Sequence, residues 1–401
     1  MLDTRTERAG TAGPTGGREA PRTARDATAA VNDVLARHLD VRLREAHDVD
    51  DVFAREVARR VAAFVQRGGK RFRTAFLWCG WRAVGGEGDP ATLLRIGAAL
   101  ELLQGCALMH DDVMDGSPTR RGAPAVHADF ARMHRAGKMI GAPEAYSTAA
   151  AVLAGDLALA WADDLLTDTA LGSRHGRLLH DEWQAMRCEM VAGQYLDMRA
   201  QAAGSSAVDD AVRIATLKSA LYTVERPLAM GASLAGADAR TVEALRSAGR
   251  CAGLAFQLRD DLLGTFGDPA VTGKPADEDL RGRKLTYLLA VAVGLASASD
   301  DTEAVVALRP DGVARSDSEV ARMRAAVERT GARAVVEAEI ADLCALSLRH
   351  FEASGADPYA CHEFASLVEK AAVDVPDRNT PPNSGTTSDR TTAPADTEET
   401  A

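Results

Sequence analysis

Two long apolar helical runs in this chain each end in aspartate, and that arrangement restricts the fold more than any other feature. The first is DPATLLRIGAALELLQGCALMHDDVMD, residues 89–115, and the second is ARTVEALRSAGRCAGLAFQLRDDLLG, residues 239–264. Acids at the C-terminal end of a helix oppose its dipole, so carboxylates placed there call for nearby positive charge. If the first helix continues through its acidic end, Asp111 and Asp115 share a face about one turn (roughly 5.4 Å) apart, with Asp112 beside them. Each can lend an oxygen to a hard cation such as Mg2+. Asp260 and Asp261 are the counterpart on the second run, and Asp268 follows in the next loop. A third pair, Asp163–Asp164, has no basic loop after it and is expected at the surface.

The rest of the chain reads the same way. Hydrophobic residues make up 46% of the 401 residues but aromatics only 4%, and an apolar set dominated by Ala and Leu favours helices over strands. Helical periodicity recurs in DATAAVNDVLARHLDVRLREA, in a run starting at Ser147, and in KLTYLLAVAVGLASA. No β-hairpin, βαβ unit or internal repeat is expected. Short loops are expected at Gly85–Gly88, Gly116–Pro124 and Gly264–Pro275. The predicted fold is an all-α, single-domain helical bundle over residues 27–372. Residues 1–26 and 373–401 bury too little apolar surface to offset their ordering entropy and are predicted to be disordered tails.

The net charge of −11 argues against nucleic-acid binding, which needs a basic face. Six cysteines occur singly, with no CxxC pair, and read as reduced thiols of a cytoplasmic protein. The N-terminus has no apolar segment of the secretory type, and no run reaches the roughly 20 apolar residues of a membrane span.

Positive charge clusters in loops beside the acids. RGGKRFR supplies Arg67, Lys70, Arg71 and Arg73 next to two glycines, although it is not a P-loop. SPTRRGAP adds Arg120 and Arg121, and the loops after the second acidic run add Lys274 and Lys284. Guanidinium forks and ammonium groups suit phosphate oxygens. Hard-cation ligands ringed by such groups describe a diphosphate site.

GGKRFR, ELLQGCALMHDDVMDGSPTRRG, LAGD, GQYLDM, LKSALYTVERPL and FQLRDDLLGTFGDPAVTGKP, in that order, are similar to the trans-isoprenyl diphosphate synthases, or polyprenyl synthetases. The resemblance implies helices of the isoprenoid synthase type around a deep apolar cavity, a homodimer, and a Mg2+ cluster. It implies head-to-tail condensation of isopentenyl diphosphate with an allylic diphosphate. Asp111, Asp115 and Asp260 would ligate metal, with Asp112 and Asp261 assisting. Arg120, Lys218 and Lys274 would grip the allylic diphosphate. Lys70, Arg73, Gln104 and Arg121 would grip isopentenyl diphosphate. Gln194 and Asp197, with Ser219 where the family usually has Thr, would line the reacting centre, Gln257 would bind substrate, and Lys284 resembles a second lysine of that region. One position departs: the second motif usually ends in a third aspartate, and here it is Gly264. Asp268 is a candidate to compensate.

Product length follows from the residues one turn or so before Asp111. A bulky aromatic there stops growth at farnesyl in this family. Cys106 and Ala107 are small, and Leu103 and Leu100 would form a deeper floor, so geranylgeranyl diphosphate is expected. A farnesyl or longer product is the alternative. A class I terpene cyclase shares the acidic motif but needs no second basic site. An HD-type phosphohydrolase would need further metal histidines, and a non-catalytic partner subunit would have lost the acids.

Overall fold

The computed structural model describes residues 20–267, 277–309 and 316–372. Lys274 and Asp268 fall outside them, as do the segments read as tails beyond these limits.

The described residues form helices joined by short turns. They are α1 (Ala24–Val49), α2 (Asp51–Phe53), a π-helical turn (Ala54–Ala58), α3 (Arg59–Gln66), α4 (Phe72–Ala83) and α5 (Pro90–Met114). A two-residue hairpin follows, β1 (Thr119–Arg120) and β2 (Ala123–Pro124), and then α6 (Val126–Ala136), α7 (Pro143–Leu171), α8 (Gly176–Ala203) and α9 (Val208–Ala215). A second π-helix spans Thr216–Glu225 and leads into α10 (Arg226–Leu234) and α11 (Ala239–Phe266). The chain finishes with α12 (Glu278–Gly282), α13 (Tyr287–Ala298), α14 (Thr302–Ala307), α15 (Asp317–Arg329), α16 (Ala332–Glu352) and α17 (Pro358–Ala372).

Helix starts follow local chemistry. Thr23 and Asp26 form a capping box that starts α1 three residues before the expected domain edge. Asp89 caps α5 through Ala91 N and Thr92 N, with Pro90 in the first turn. α7 begins at Pro143 rather than Ser147, because proline is pre-set for the first helical position.

Three further expectations are corrected. The loop after Asp115 contains the small antiparallel hairpin, with Thr119 opposite Pro124, where none was expected. The second acidic helix runs past Gly264 to Phe266, so its loop begins later. Asp163 is not simply surface: its carboxylate accepts from Trp183 Nε1 at 2.7 Å and pairs with Arg187, tying α7 to α8. Asp164 is exposed as expected.

α5 is the central helix, with α7, α1 and α4 packed against it. It is the one described helix long and apolar enough to cross a membrane, longer than any such run expected from the sequence. Yet 72% of its apolar window is buried inside the fold. A second apolar cluster lies among α11, α13, α15 and α16.

The π-helix at Thr216–Glu225 is wider than an α-helix, and its neighbours give way to it. A Cβ on Gly193 of α8 would sit 2.4 Å from Lys218 N, and one on Gly253 of α11 would sit 2.6 Å from Ala220 Cα. Glycine at both positions lets the two helices close on the segment that presents Lys218 to Thr223. π-Helical segments of this kind are rare and favour functional sites.

Midway along α1, burial together with Arg42 and Arg95 pushes His38 down to about 4, against the opposing pull of Asp168 and the Trp161 backbone. A histidine whose folded pKa lies below its unfolded value of about 6.5 contributes stability above that value and loses it as pH falls towards 4. Thermal unfolding is therefore expected to drop in temperature between pH 6.5 and pH 4. His38→Gln should flatten that part of the profile, and an unchanged slope in the variant would remove His38 as its source.

Candidate active site

The C-terminal end of α5 carries Asp111 and Asp112, with Asp115 as its C-cap residue. Arg120, placed by the hairpin, donates from Nε to Asp112 Oδ1 at 2.7 Å and from Nη2 to Asp111 Oδ2 at 3.2 Å. Lys218, from the π-helix, lies 2.7 Å from Asp197 Oδ2 and 3.2 Å from Asp111 Oδ1. Burial pushes the Asp111 carboxyl up, but Lys218, Lys284 and Arg120 outweigh it and hold the group below its usual value. Asp112 differs: it is fully buried, and burial raises it to about 6 against the pull of Arg120. Asp112 thus anchors Arg120, while Asp111 and Asp115 face the cations. Gln194 Nε2 reaches Met114 Sδ at 3.4 Å, beside the same helix end.

The second acidic motif is tied to this place through one turn. Lys284 Nζ lies 2.6 Å from Asp115 Oδ2. Three residues on, Tyr287 N donates to Asp261 Oδ2 at 3.1 Å. A single turn, residues 284–287, therefore bonds both motifs. Asp261 is buried, and its other oxygen accepts from Gln257 Nε2 at 2.8 Å; burial and the nearby Asp279 raise its pKa well above the usual range. Gln257 in turn accepts from Ser219 Oγ. The chain Ser219–Gln257–Asp261 locks the π-helix to α11 and fixes the start of α13. Asp260, half-buried, is the member of the pair left partly open to solvent.

The basic loops meet on the other side. A Cβ on Gly69 would lie 3.0 Å from Arg121 Nη2, so the GGK glycine leaves room for the RRG arginine. Arg121 also lies over the Phe64 ring, 5.6 Å from its centroid. Burial first, and then the adjacent Arg71, push Arg121 down to about 10. Arg73 stacks at 4.0 Å on Tyr222 and donates to Thr223 Oγ1 at 2.9 Å. Tyr222 donates to Gln104 Oε1 at 2.8 Å. Lys70 is exposed beside Phe72. Arg71 belongs elsewhere: it is buried against Glu101 at 2.5 Å and does not face this pocket as a free cation. Tyr222, Thr223 and Glu101 are site or support residues that sequence reasoning missed. The position of Tyr222 and Thr223 just after Lys218 was a signal that helical periodicity of 3.6 obscured.

Below the acids, Cys106 is buried and Ala107 half-buried, both on α5. Cys106 Sγ lies 3.7 Å from His110 Nδ1. His110 is seated over Gly155 of α7, where any Cβ would overlap its ring. Leu103 and Leu100 are fully closed in the main core.

The polyprenyl synthetase family model matches residues 55–326. The chain is 37% identical over 267 residues to the geranylgeranyl diphosphate synthase of Mycobacterium tuberculosis, covering 66% of this chain and 69% of that protein. It is 32% identical over 236 residues to the geranylfarnesyl diphosphate synthase of Aeropyrum pernix, covering 57% and 68%. It is 34% identical over 273 residues to a (2E,6E)-farnesyl diphosphate synthase of M. tuberculosis, covering 68% and 70%. Among solved structures, a Corynebacterium glutamicum geranylgeranyl pyrophosphate synthase, complexed with isoprenyl diphosphate and magnesium, superposes with a TM-score of 0.81 at 37% identity. That likeness covers 86% of this chain and 97% of the other. The family match spans both acidic helices and the basic loops between them, and the chain belongs to the polyprenyl synthetase family of trans-prenyltransferases.

Proposed function

We propose that the protein is a Mg2+-dependent geranylgeranyl diphosphate synthase, adding isopentenyl diphosphate head-to-tail to dimethylallyl, geranyl and farnesyl diphosphates. The observation that carries this reading is the turn at residues 284–287, which bonds both acidic motifs and so brings two acid-ended helices to one place. Among the described residues no three His, Cys, Asp or Glu side chains converge as a metal-binding group. The donors are instead divided, with Asp111 and Asp115 on one helix and Asp260 on another. Mg2+ is commonly held by one or two carboxylates plus substrate phosphates, so a divided set fits a metal that arrives with its diphosphate. When bound, the metal would offset negative charge developing on the departing diphosphate.

The chain's own residues do the rest. Arg120 and Lys218, with Lys274, would grip the allylic diphosphate, and preorganised cations of this kind stabilise a leaving group as its charge develops. Lys70, Arg73, Gln104 and Arg121 would hold isopentenyl diphosphate, whose negative charge would offset the burial and the neighbouring arginines that push Arg121 down. The allylic carbon–oxygen bond breaks, and its electron pair leaves with the diphosphate. The double bond of isopentenyl diphosphate attacks the resulting cation, and a proton then passes to the leaving diphosphate. Gln194, Asp197 and Ser219 would face the reacting carbons. The second group of basic residues, around Arg73 and Arg121, favours this reading over a cyclase, which uses one diphosphate.

Incubating the purified protein with Mg2+, isopentenyl diphosphate and each allylic starter separately, then sizing the products by mass spectrometry, tests the proposal. Geranylgeranyl diphosphate is expected. A farnesyl or longer product overturns the length reading, and no elongation with any starter overturns the reaction. Cys106→Phe is expected to shift the main product to farnesyl diphosphate while isopentenyl diphosphate is still consumed. An unchanged product would place the length determinant on another helix.

The same reading includes a homodimer in the cytoplasm. Support for the dimer comes from exposed apolar residues on α7 and just before it, Leu153, Val152 and Ile140. Support for the compartment comes from six free cysteines.

A further inference from the structure

The π-helix at Thr216–Glu225 runs directly into α10, and its neighbours meet this rod backbone to backbone. A Cβ on Gly249 of α11 would lie 2.6 Å from Glu225 Cα. One on Gly80 of α4 would lie 2.0 Å from Leu228 O, and one on Gly231 of α10 would lie 2.0 Å from Leu77 O. Together with Gly193 and Gly253, these contacts set how near the rod lies to α4, α8 and α11. Glycines offer no ridge to seat in a facing groove, so such contacts leave the rotation of the rod and its register along the axis to other bonds.

Those bonds meet at one peptide. Glu225 and Arg226 are consecutive, and each reaches a different neighbour. Arg226 donates from Nη1 to Glu182 Oε2 and from Nε to Glu189 Oε2, both at 2.9 Å and both on α8. Glu225 Oε1 lies 3.3 Å from Arg246 Nη1, and its Oε2 lies 3.1 Å from Arg250 Nε, both on α11. Arg246 also pairs with Glu182, which closes the circuit Arg226–Glu182–Arg246–Glu225. These four side chains are between 4% and 17% exposed, so salt screens them little. The backbone of Arg226 has a second task. Its N–H donates to Leu221 O, five residues back, and makes the last wide rung of the ladder. An α-helical rung would use Tyr222 O instead. The side chain gripped by the circuit therefore belongs to the residue that closes the π-helix.

We propose that this closed circuit is a register lock, which holds the last wide rung and thereby positions Lys218, towards the opposite end of the segment, against Asp111 and Asp197. Arg226 is a positioning residue for the condensation and acts through Lys218 without touching substrate. Freed of the circuit, the final rung reverts to Tyr222 O and the extra residue moves towards Lys218. This role rests on the reading of Lys218 as a grip on the allylic diphosphate.

Two readouts test the lock, one of them independent of activity. Tyr222 lies within the segment and is bonded to Gln104. In the full chain labelled with fluorotyrosine, its fluorine resonance, assigned with Tyr222→Phe, reports the register directly. Arg226→Gln breaks the circuit at α8 and Arg246→Gln breaks it at α11. Each is expected to move the Tyr222 resonance and to leave that of Tyr146, stacked on His134, in place. In steady-state kinetics each is expected to lower kcat/KM about a hundred-fold, the loss that a displacement of roughly 1 Å can bring from far off. In a Lys218→Met background the same changes are expected to cost less than about three-fold more, because residues acting through one group are not additive. Glu243→Gln is the control: its pair with Arg250 is exposed and 3.8 Å long, and its loss should change kcat/KM less than about two-fold. Arg226→Lys keeps the charge but cannot fork to both glutamates, so an intermediate shift is expected there, and it stands in for Arg226→Gln if that variant does not fold. A Tyr222 resonance that stays in its wild-type position in the folded circuit variants, or a hundred-fold loss that persists in the Lys218→Met background, would overturn the lock and leave the functional reading intact. Wild-type protein that condenses no starter would overturn the functional reading, and with it the role of Lys218, wherever the resonance lies.

Discussion

Asp111→Ala is expected to lower kcat/KM for the condensation by about a thousand-fold, close to 4 kcal/mol of transition-state stabilisation. Three arrangements converge on that one carboxylate. It accepts from Arg120, it lies 3.2 Å from Lys218, and it shares a helix face with Asp115. Burial alone would push it towards its protonated form, and the surrounding cations keep it ionised. A carboxylate kept charged in a buried setting is suited to a metal, and neither Asp112 nor Asp261 shares that property, since both are raised. The fold should survive the change: Arg120 keeps Asp112 and Lys218 keeps Asp197. Melting temperature and kcat/KM are therefore measured together. A variant that folds normally and keeps activity within about ten-fold of wild type would remove Asp111 from the transition state. A scaffold subunit would show no loss at all.

The second large effect is on stability. Glu101→Leu is expected to destabilise the fold by about 3–5 kcal/mol, the usual result of stranding one member of a buried ion pair. Arg71 and Glu101 side chains are 5% and 4% exposed. Arg71 Nη2 also donates to Val65 O at 2.9 Å, and Thr74 Oγ1 donates to Glu101 Oε1 at 3.1 Å. Without Glu101 the guanidinium keeps its burial and loses its counter-charge. Arg71 sits at a left-handed φ of 53° where the GGK loop enters α4, so the loop that places Lys70 and Arg73 should loosen as well. KM for isopentenyl diphosphate should rise more than KM for the allylic partner. The double variant Arg71→Met/Glu101→Leu removes both charges and is expected to regain most of the stability. A urea midpoint in Glu101→Leu equal to wild type would show that the pair contributes nothing to the fold.

The contrast between Arg71 and Arg121 shows what a sequence can and cannot display. Both arginines sit in basic loops, and position along the chain does not separate them. Only the buried acid ten residues before Asp111, invisible as a partner in one dimension, assigns Arg71 to the scaffold and sets it apart from Arg121. The acidic helices were legible because carboxylates at helix C-termini oppose the dipole and need an external reason to be there. The all-α class was legible from the Ala- and Leu-rich periodic runs. Asp261 shows the opposite limit: its neighbour Asp260 is of the same type, yet Asp261 points inward to hold Tyr287 N and Gln257. Burial separates the two, and burial is a property of packing.

The π-helix between Thr216 and Glu225 has a consequence for how this chain can change in length. Its i→i+5 ladder stores more residues over the same rise than an α-helix would. Deleting one residue there would let the ladder relax to the ordinary i→i+4 pattern, so the segment would gain regularity locally. The helix beyond the cut would keep its register, and the change would fall on the side chains within the segment, whose spacing the wider ladder sets. Tyr222 would leave Gln104, and Lys218 would leave Asp111 and Asp197. Lineages descending from this chain can therefore exchange letters only at positions of the segment that make no site contact, and an insertion or deletion that restores a tidier helix would undo the contacts built upon it.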